Sequence, residues 1–391
     1  MIMEISMKKT IGYSLFAMVY YLCRLFPIKK KRVLCIMTHD DGEGSNVSLV
    51  ARALQERSEG YSFSYITKKD TLEVKNIASL RKVISFFTLK PYQMARAEII
   101  LLDNVFLPFA YLRRRKGTKV VQLWHGTGTI KKFGQDANSG RLKELERRAN
   151  ANITHLIVNS SEMKELYAGA FGVEKARVYP IGLPKTDELL KRIEKAGKEK
   201  KNADKEYIYR KYQIPEEMKL ILYAPTFRDH EVNHPSVEKQ LEDLIKWLPE
   251  GYAVGLRVHP FVAKALEDGT AGPNIYQLSF EEDVNTVLMA ADLLITDYSS
   301  IIFEYCLTLR PMIFYAYDYE EFLQHGRGFY YPYQSYVPGP VAYTGKEVGS
   351  LIENGEFDRK RIQDFVAQNY HSLDGNAIGR LIELLQQPFT N

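Results

Sequence analysis

The chain has 391 residues, 45% of them hydrophobic, enough for two or three domains with buried cores and inconsistent with a disordered chain. Its net charge of +5 is concentrated at one end: residues 1–32 hold seven Lys or Arg against the single acid Glu4, so the remaining residues sum to −1. A folded body without excess positive charge argues against nucleic-acid binding, and Cys23, Cys35 and Cys306 fall in no metal or redox spacing, which fits a reducing compartment.

At the amino terminus, Lys8 and Lys9 precede an apolar stretch, Ile11 to Phe26, and Lys29, Lys30, Lys31 and Arg32 follow it. With 16 residues and an internal Arg24 it is short for a membrane span, which needs roughly 20 apolar residues. Pro27 and basic residues stand where a signal peptide would carry its cleavage site. Residues 1–32 are therefore read as an amphipathic segment on the cytoplasmic face of a membrane, peripheral and monotopic. Tyr13, Tyr20 and Tyr21 would lie near the headgroups and the lysines on anionic lipid. The competing reading is an amphipathic helix packed on the first domain, since apolar periodicity alone does not separate the two.

From Val33 to Thr38 an apolar strand runs into a loop containing Gly42 and Gly44, and a helical pattern follows from Val47. The two glycines allow a tight turn or the close approach of a ligand but form no dinucleotide fingerprint. Further strands are expected at Tyr61 to Thr67, Glu98 to Asp103, Lys119 to Leu123 and Leu156 to Asn159, with helices between them. This first domain, 33–187, ends at a charged helical linker, 188–214. A second alternation over 215–345 has strands at Leu220 to Tyr223, Ala253 to Val258, Asn274 to Gln277, Leu293 to Thr296 and Met312 to Tyr315, and residues 346–391 read as helices packing back across both domains. The class is α/β: two Rossmann-like parallel-sheet domains facing a cleft.

Four strands end in polar turns: Trp124-His125-Gly126-Thr127, Pro225-Thr226-Phe227-Arg228, Arg257-Val258-His259-Pro260 and Thr296-Asp297-Tyr298-Ser299-Ser300. Parallel sheets bind ligands beyond the carboxyl ends of their strands. The last turn opens a helical segment, Ile301 to Leu309, whose unpaired N–H groups and Ser299 and Ser300 hydroxyls suit a phosphate, although simple capping would use the same residue types.

Taken together with Lys131-Lys132 and Arg327-Gly328-Phe329, these motifs resemble in consistent order the CDP-glycerol glycerophosphotransferase family of teichoic acid synthesis. The likeness covers roughly Val120 to Pro340. It implies a GT-B-like fold, CDP-glycerol as donor, and an undecaprenyl-diphosphate-linked saccharide, a lipid-linked disaccharide, as acceptor. It also implies peripheral membrane attachment. The sequence departs at Gly128-Thr129, where the family usually carries proline and leucine, which bears on how the acceptor sits.

The implied reaction moves glycerol 3-phosphate to an acceptor hydroxyl and releases CMP. His125 and His259 are the acid–base candidates, because imidazole titrates near neutrality. His125 is assigned as general base in the acceptor-binding domain, with Gly126, Thr127, Lys131, Gly42 and Gly44 beside the acceptor. His259 is assigned to a donor phosphate oxygen, and the reverse assignment stays open. Thr226, Arg228, Arg257, Ser299 and Ser300 are read as donor-binding, with Asp297 capping a helix or orienting a histidine, Glu304 on the ribose, and Arg327 closing on the donor. The sequence shows no metal-ligand cluster and requires no cofactor, although a carboxylate such as Asp297 could recruit Mg²⁺. A primase adding one unit is the first reading. A chain-extending polymerase, a CDP-ribitol transferase and, from another class, a non-catalytic membrane-bound scaffold are its competitors.

Overall fold

The computed structural model describes residues 7–57, 60–70, 77–226, 228, 237–258, 262–263, 272 and 274–388. The chain divides into two compact units, Met1–Thr127 with Phe133–Asp187 and Tyr370–Asn391, and Gly128–Lys132 with Glu188–Asn369. The segment 188–214, expected as a linker, thus falls within the second unit, and the carboxy-terminal residues are shared out at position 370.

In the first unit β1 (Lys29–Met37), β2 (Ser62–Thr67), β3 (Ala97–Leu102), β4 (Lys119–Gln122), β5 (His155–Ile157) and β6 (Val178–Tyr179) form one sheet of order β2-β1-β3-β4-β5-β6. Every pairing is parallel. Alternate residues of the strands supply opposite faces: Val33, Cys35, Ile99, Leu101 and Val121 enter one core, Leu34, Ile36, Ile100, Leu102 and Val120 the other. Neighbouring order reverses between β1 and β3, where sheets of this kind bind ligands.

In the second unit β7 (Lys219–Ala224), β8 (Tyr252–Leu256), β9 (Ile275–Gln277), β10 (Leu293–Thr296), β11 (Met312–Tyr315) and β12 (Val341–Ala342) form a second parallel sheet, ordered β12-β11-β10-β7-β8-β9. Its order reverses between β7 and β10. The strands expected from sequence are all present, and β6 and β12, two residues each, are too short to carry a periodic signal.

Helix α1 (Met7–Cys23) packs Phe16, Ala17 and Tyr20, at most 5% exposed, into the core shared with α3 (Ile77–Ala95). Tyr20 therefore points inward, its hydroxyl donating to the Arg113 carbonyl at 3.1 Å, and Tyr13 is half-buried against Tyr111; only Tyr21 keeps the exposed setting expected of all three. Burying one Phe stabilises by about 1.5–3 kcal/mol, enough to fix a short helix to its sheet. The opposite face of α1 leaves Ile11, Leu15, Met18 and Leu22 exposed. Among the described residues no helix is long and apolar enough to cross a membrane.

Candidate active site

In the first unit the polar turn after β4 carries Trp124 in the left-handed region, φ 55°, a conformation a bulky residue adopts only when its surroundings impose it. Three amides impose it. Gln122 accepts from the Trp124 N–H through Oε1 at 3.0 Å, and buried Asn46, the first residue of α2 (Asn46–Arg57), donates to the Trp124 carbonyl at 3.1 Å. Asn159, buried beyond β5, donates to the Thr127 carbonyl at 2.9 Å.

The turn delivers His125 with Nδ1 3.1 Å from the Asp103 carbonyl oxygen. A carbonyl only accepts, so Nδ1 carries the proton and the Nε2 lone pair is left available. His39 stacks on the ring with centroids 3.6 Å apart and planes at 17°, and Trp124 lies 4.0 Å away on centroids. Burial pulls the His125 pKa down to about 3; His39, Lys185 and Lys68 push the same way, and the Asp103 carbonyl opposes them. The imidazole is neutral at physiological pH.

Asp103 follows β3 at the reversal point, and its carboxylate accepts three backbone N–H groups of the loop after β1: Thr38 and His39 at 2.9 Å and Asp40 at 2.8 Å. Burial raises its pKa and these three bonds lower it, leaving a net rise. Gly42 lies in that loop, its N–H donating to Asp40 Oδ1 at 3.1 Å, and Gly44 is exposed beside it. Lys185 Nζ stands 3.4 Å from Asp40 Oδ2.

The second unit repeats the arrangement. Asp297 follows β10 at the reversal point and accepts the Thr226 N–H beyond β7 at 2.8 Å and the Tyr298 N–H at 2.6 Å. Its other oxygen accepts Arg228 Nη1 at 2.6 Å. Arg228, 5% exposed, also forks onto Asp318 through Nε at 3.0 Å and Nη2 at 2.9 Å, while Tyr298 donates to Asp318 at 3.0 Å. Asp297 thus neither caps a helix nor orients a histidine among the described residues. It fixes the end of β7, and Arg228 is engaged by two carboxylates instead of opening outward as a phosphate clamp.

Arg257 leaves β8 with Nη1 on the carbonyls of Leu278 and Glu281, 3.1 Å each. Ser299 and Ser300 are half-buried at the head of the turn, with Ser299 Oγ 3.4 Å from the Ile301 N–H. The helix they open is shorter than expected, Ile301–Tyr305 and a tight turn to Thr308, because Leu309 turns left-handed at φ 53° and Arg310 precedes a proline. Glu304 is half-buried on it, and Arg327 is exposed. His259 lies outside the described residues. Among those described, no group of three or more His, Cys, Asp or Glu gathers as a metal site.

Gly128–Lys132 belongs to the second unit, so Lys131, read as acceptor-binding, sits with the residues read as donor-binding, its Nζ 3.5 Å from Thr226 Oγ1. Lys131 bridges Phe329 in antiparallel fashion, and Lys132 donates its N–H to the Gly328 carbonyl at 2.9 Å. The unusual Gly128 has a local cause: a Cβ there would come within 2.3 Å of the Phe303 ring.

Sequence reading missed Asn46, Asp103, His39, Asn159 and Asp318. For Asp103 a signal existed, because it is the first polar residue after an apolar strand, as Asp297 is. The others act across many intervening residues and leave no local pattern.

Two doubly wound parallel-sheet units with polar turns at their reversal points define a GT-B-like fold. Solved structures of the wall teichoic acid polymerase TagF share it, one at TM-score 0.76 and 23% identity over 97% of this chain and 95% of that one. Residues 18–387 match the model of the CDP-glycerol:poly(glycerophosphate) glycerophosphotransferase family, and the chain belongs to that family. Curated relatives include a teichoic acid poly(ribitol-phosphate) polymerase of Bacillus spizizenii, 31% identical over 97% of this chain and 60% of the relative. A teichoic acid glycerol-phosphate primase of Bacillus subtilis is 32% identical over 81% of this chain and 78% of the relative. The chain thus spans 60% of the B. spizizenii polymerase and 55% of the teichoic acid ribitol-phosphate polymerase TarL of Staphylococcus aureus, little more than half the length of each.

Proposed function

We propose that this chain transfers glycerol 3-phosphate from CDP-glycerol to a hydroxyl of an undecaprenyl-diphosphate-linked saccharide at the inner membrane face, adding a single priming unit. The acceptor oxygen forms a bond to the phosphorus that bears glycerol. The bond from that phosphorus to the bridging oxygen breaks, and CMP leaves with the electron pair. The acceptor proton goes to His125 Nε2. The observation that carries this role is the His125 Nδ1 contact with the Asp103 carbonyl, which leaves Nε2 as the acceptor. A base of depressed pKa is present wholly in the neutral form, and an arriving phosphate would raise its proton affinity toward the working range. His259, Thr226, Arg257, Ser299, Ser300, Glu304 and Arg327 are proposed for the donor, with Lys131 beside Thr226 adding a positive charge there. Asp297 and Arg228 are proposed to hold that wall in shape.

Support for membrane attachment comes from the exposed apolar face of α1 and the basic residues around it. A second reading, ribitol-phosphate transfer, is favoured by one observation: the ribitol-phosphate polymerase relative matches 97% of this chain. The test is CMP release from CDP-glycerol and from CDP-ribitol with a synthetic lipid-linked disaccharide, recording product mass. Acceptor-dependent CMP and a product one glycerophosphate heavier, both lost in His125→Ala and His259→Ala, are expected. A mass ladder would mean a polymerase, and release from CDP-ribitol alone the second reading. No release from either donor, or release indifferent to both histidines, would overturn the mechanism.

A further inference from the structure

A cavity of about 650 Å³ opens on the first unit between the carboxyl end of α1, the segment before β4 and α4 (Gly140–Asn150). Five cations line it, Arg113, Arg114, Lys116, Arg147 and Arg148, and among the described residues no carboxylate does. Glu144, which does not line the cavity, engages Arg147 with two bonds of 2.8 Å. Burial and the neighbouring Arg177 lower the proton affinity of the Arg114 guanidinium, and Tyr20 opposes them.

The frame is rigid. Asn152 at its floor accepts the Arg114 N–H at 2.7 Å and donates to the Phe109 carbonyl at 3.1 Å. Tyr21 accepts the Arg113 N–H at 3.0 Å, which ties the cavity to α1. On α1 the exposed residues Ile11, Leu15, Met18 and Leu22, 62%, 40%, 54% and 61% exposed, recur every three to four positions, and Leu25 beyond the helix is 87% exposed. The apolar stripe thus ends beside Tyr21, the α1 residue that lines the basic cavity.

We propose that this cavity receives the phosphate headgroup of an anionic membrane phospholipid, as a built site and not as part of a diffuse basic field. This rests on the reading that the chain works at a membrane. The cavity is large enough for a phosphoglycerol head, and arginine forks suit phosphate oxygens. Its occupant is separate from the donor and is not consumed.

The test is co-sedimentation of the full chain with phosphatidylcholine vesicles and with vesicles that also contain phosphatidylglycerol. The cavity variant is Arg113→Glu/Lys116→Glu/Arg148→Glu, and the matched control is Lys8→Glu/Lys29→Glu/Lys30→Glu. At about fivefold per surface cation, the cavity variant should lose roughly a hundredfold or more in affinity for the anionic vesicles, the control should lose clearly less, and Arg113→Lys/Arg148→Lys should retain most of it. Thermal melting of each variant establishes that it is folded. Equal losses in variant and control mean a diffuse field and overturn the site. Displacement from vesicles by millimolar inorganic phosphate at constant ionic strength would mean a free-anion site and would also overturn it. If phosphatidylcholine vesicles bind but phosphatidylglycerol adds nothing, the cavity proposal falls alone; if neither vesicle binds, the membrane reading falls with it.

Discussion

Asp103 and Asp297 hold the same post in the two units. Each is the first residue beyond a strand at the point where strand order reverses, and each accepts backbone N–H groups from the loop after the neighbouring strand. Asp103 does more than brace a loop, because its own carbonyl sets the tautomer of His125. Asp103→Asn replaces one acceptor oxygen by a donor and leaves at least one partly buried N–H without its partner, at a cost of about 1 kcal/mol. Thermal melting should show that loss, and CMP release should fall in kcat more than in KM, since the base is disordered and the donor is not. An unchanged kcat would remove Asp103 from the positioning of His125.

Arg228, Asp297 and Asp318 form a buried charge cluster in which each partner depends on the others. Removing one member leaves an uncompensated buried charge, worth roughly 3–5 kcal/mol. Arg228→Ala should therefore lose about that much in urea unfolding. Arg228→Lys should recover only part of it, because an ammonium cannot make the bidentate contact with Asp318. A phosphate clamp without a structural role would give the opposite outcome, a raised KM for donor at unchanged stability.

Gly128 and Phe303 share one space. Gly128→Ala should destabilise by about 1–3 kcal/mol, the usual cost of overpacking. Phe303→Leu alone should cost about 1 kcal/mol, yet it should rescue Gly128→Ala in the double variant, giving a favourable coupling in a double-mutant cycle. Additive losses would show that the two residues do not compete.

Two imidazoles with lowered proton affinity predict acid lability. Burial lowers His125 to about 3 and, with Lys119 and Arg114, His155 to about 4, both below the ordinary value of 6.5. The unfolded chain therefore binds more protons than the folded one between pH 6.5 and those values, and stability falls as pH drops through that window and is fully present above it. Urea unfolding at pH 7.0 and pH 4.5 should show a smaller drop in His125→Gln and in His155→Gln than in the parent. An equal drop in all three would place the lability elsewhere.

The strand-to-turn units were legible because each is local. An apolar run of five or six residues ending in Trp124-His125-Gly126 or Thr296-Asp297-Tyr298 announces a strand end within a dozen positions. The family motifs were legible for the same reason. Nothing local distinguishes Arg228 as a phosphate clamp from Arg228 as the partner of Asp318, 90 residues away.

The sequence by itself thus determined two alternating α/β segments, their polar strand ends and the family to which they belong, since apolar period and turn chemistry are properties of neighbouring residues. Only the tertiary structure decided that Asp103 sets the His125 tautomer, that Asn46 and Asn159 hold its turn, that Gly128 makes room for Phe303, and that Tyr20 faces the core. Parallel strands bring together residues tens of positions apart, and a hydrogen bond between them depends on distance in space, which no local pattern encodes.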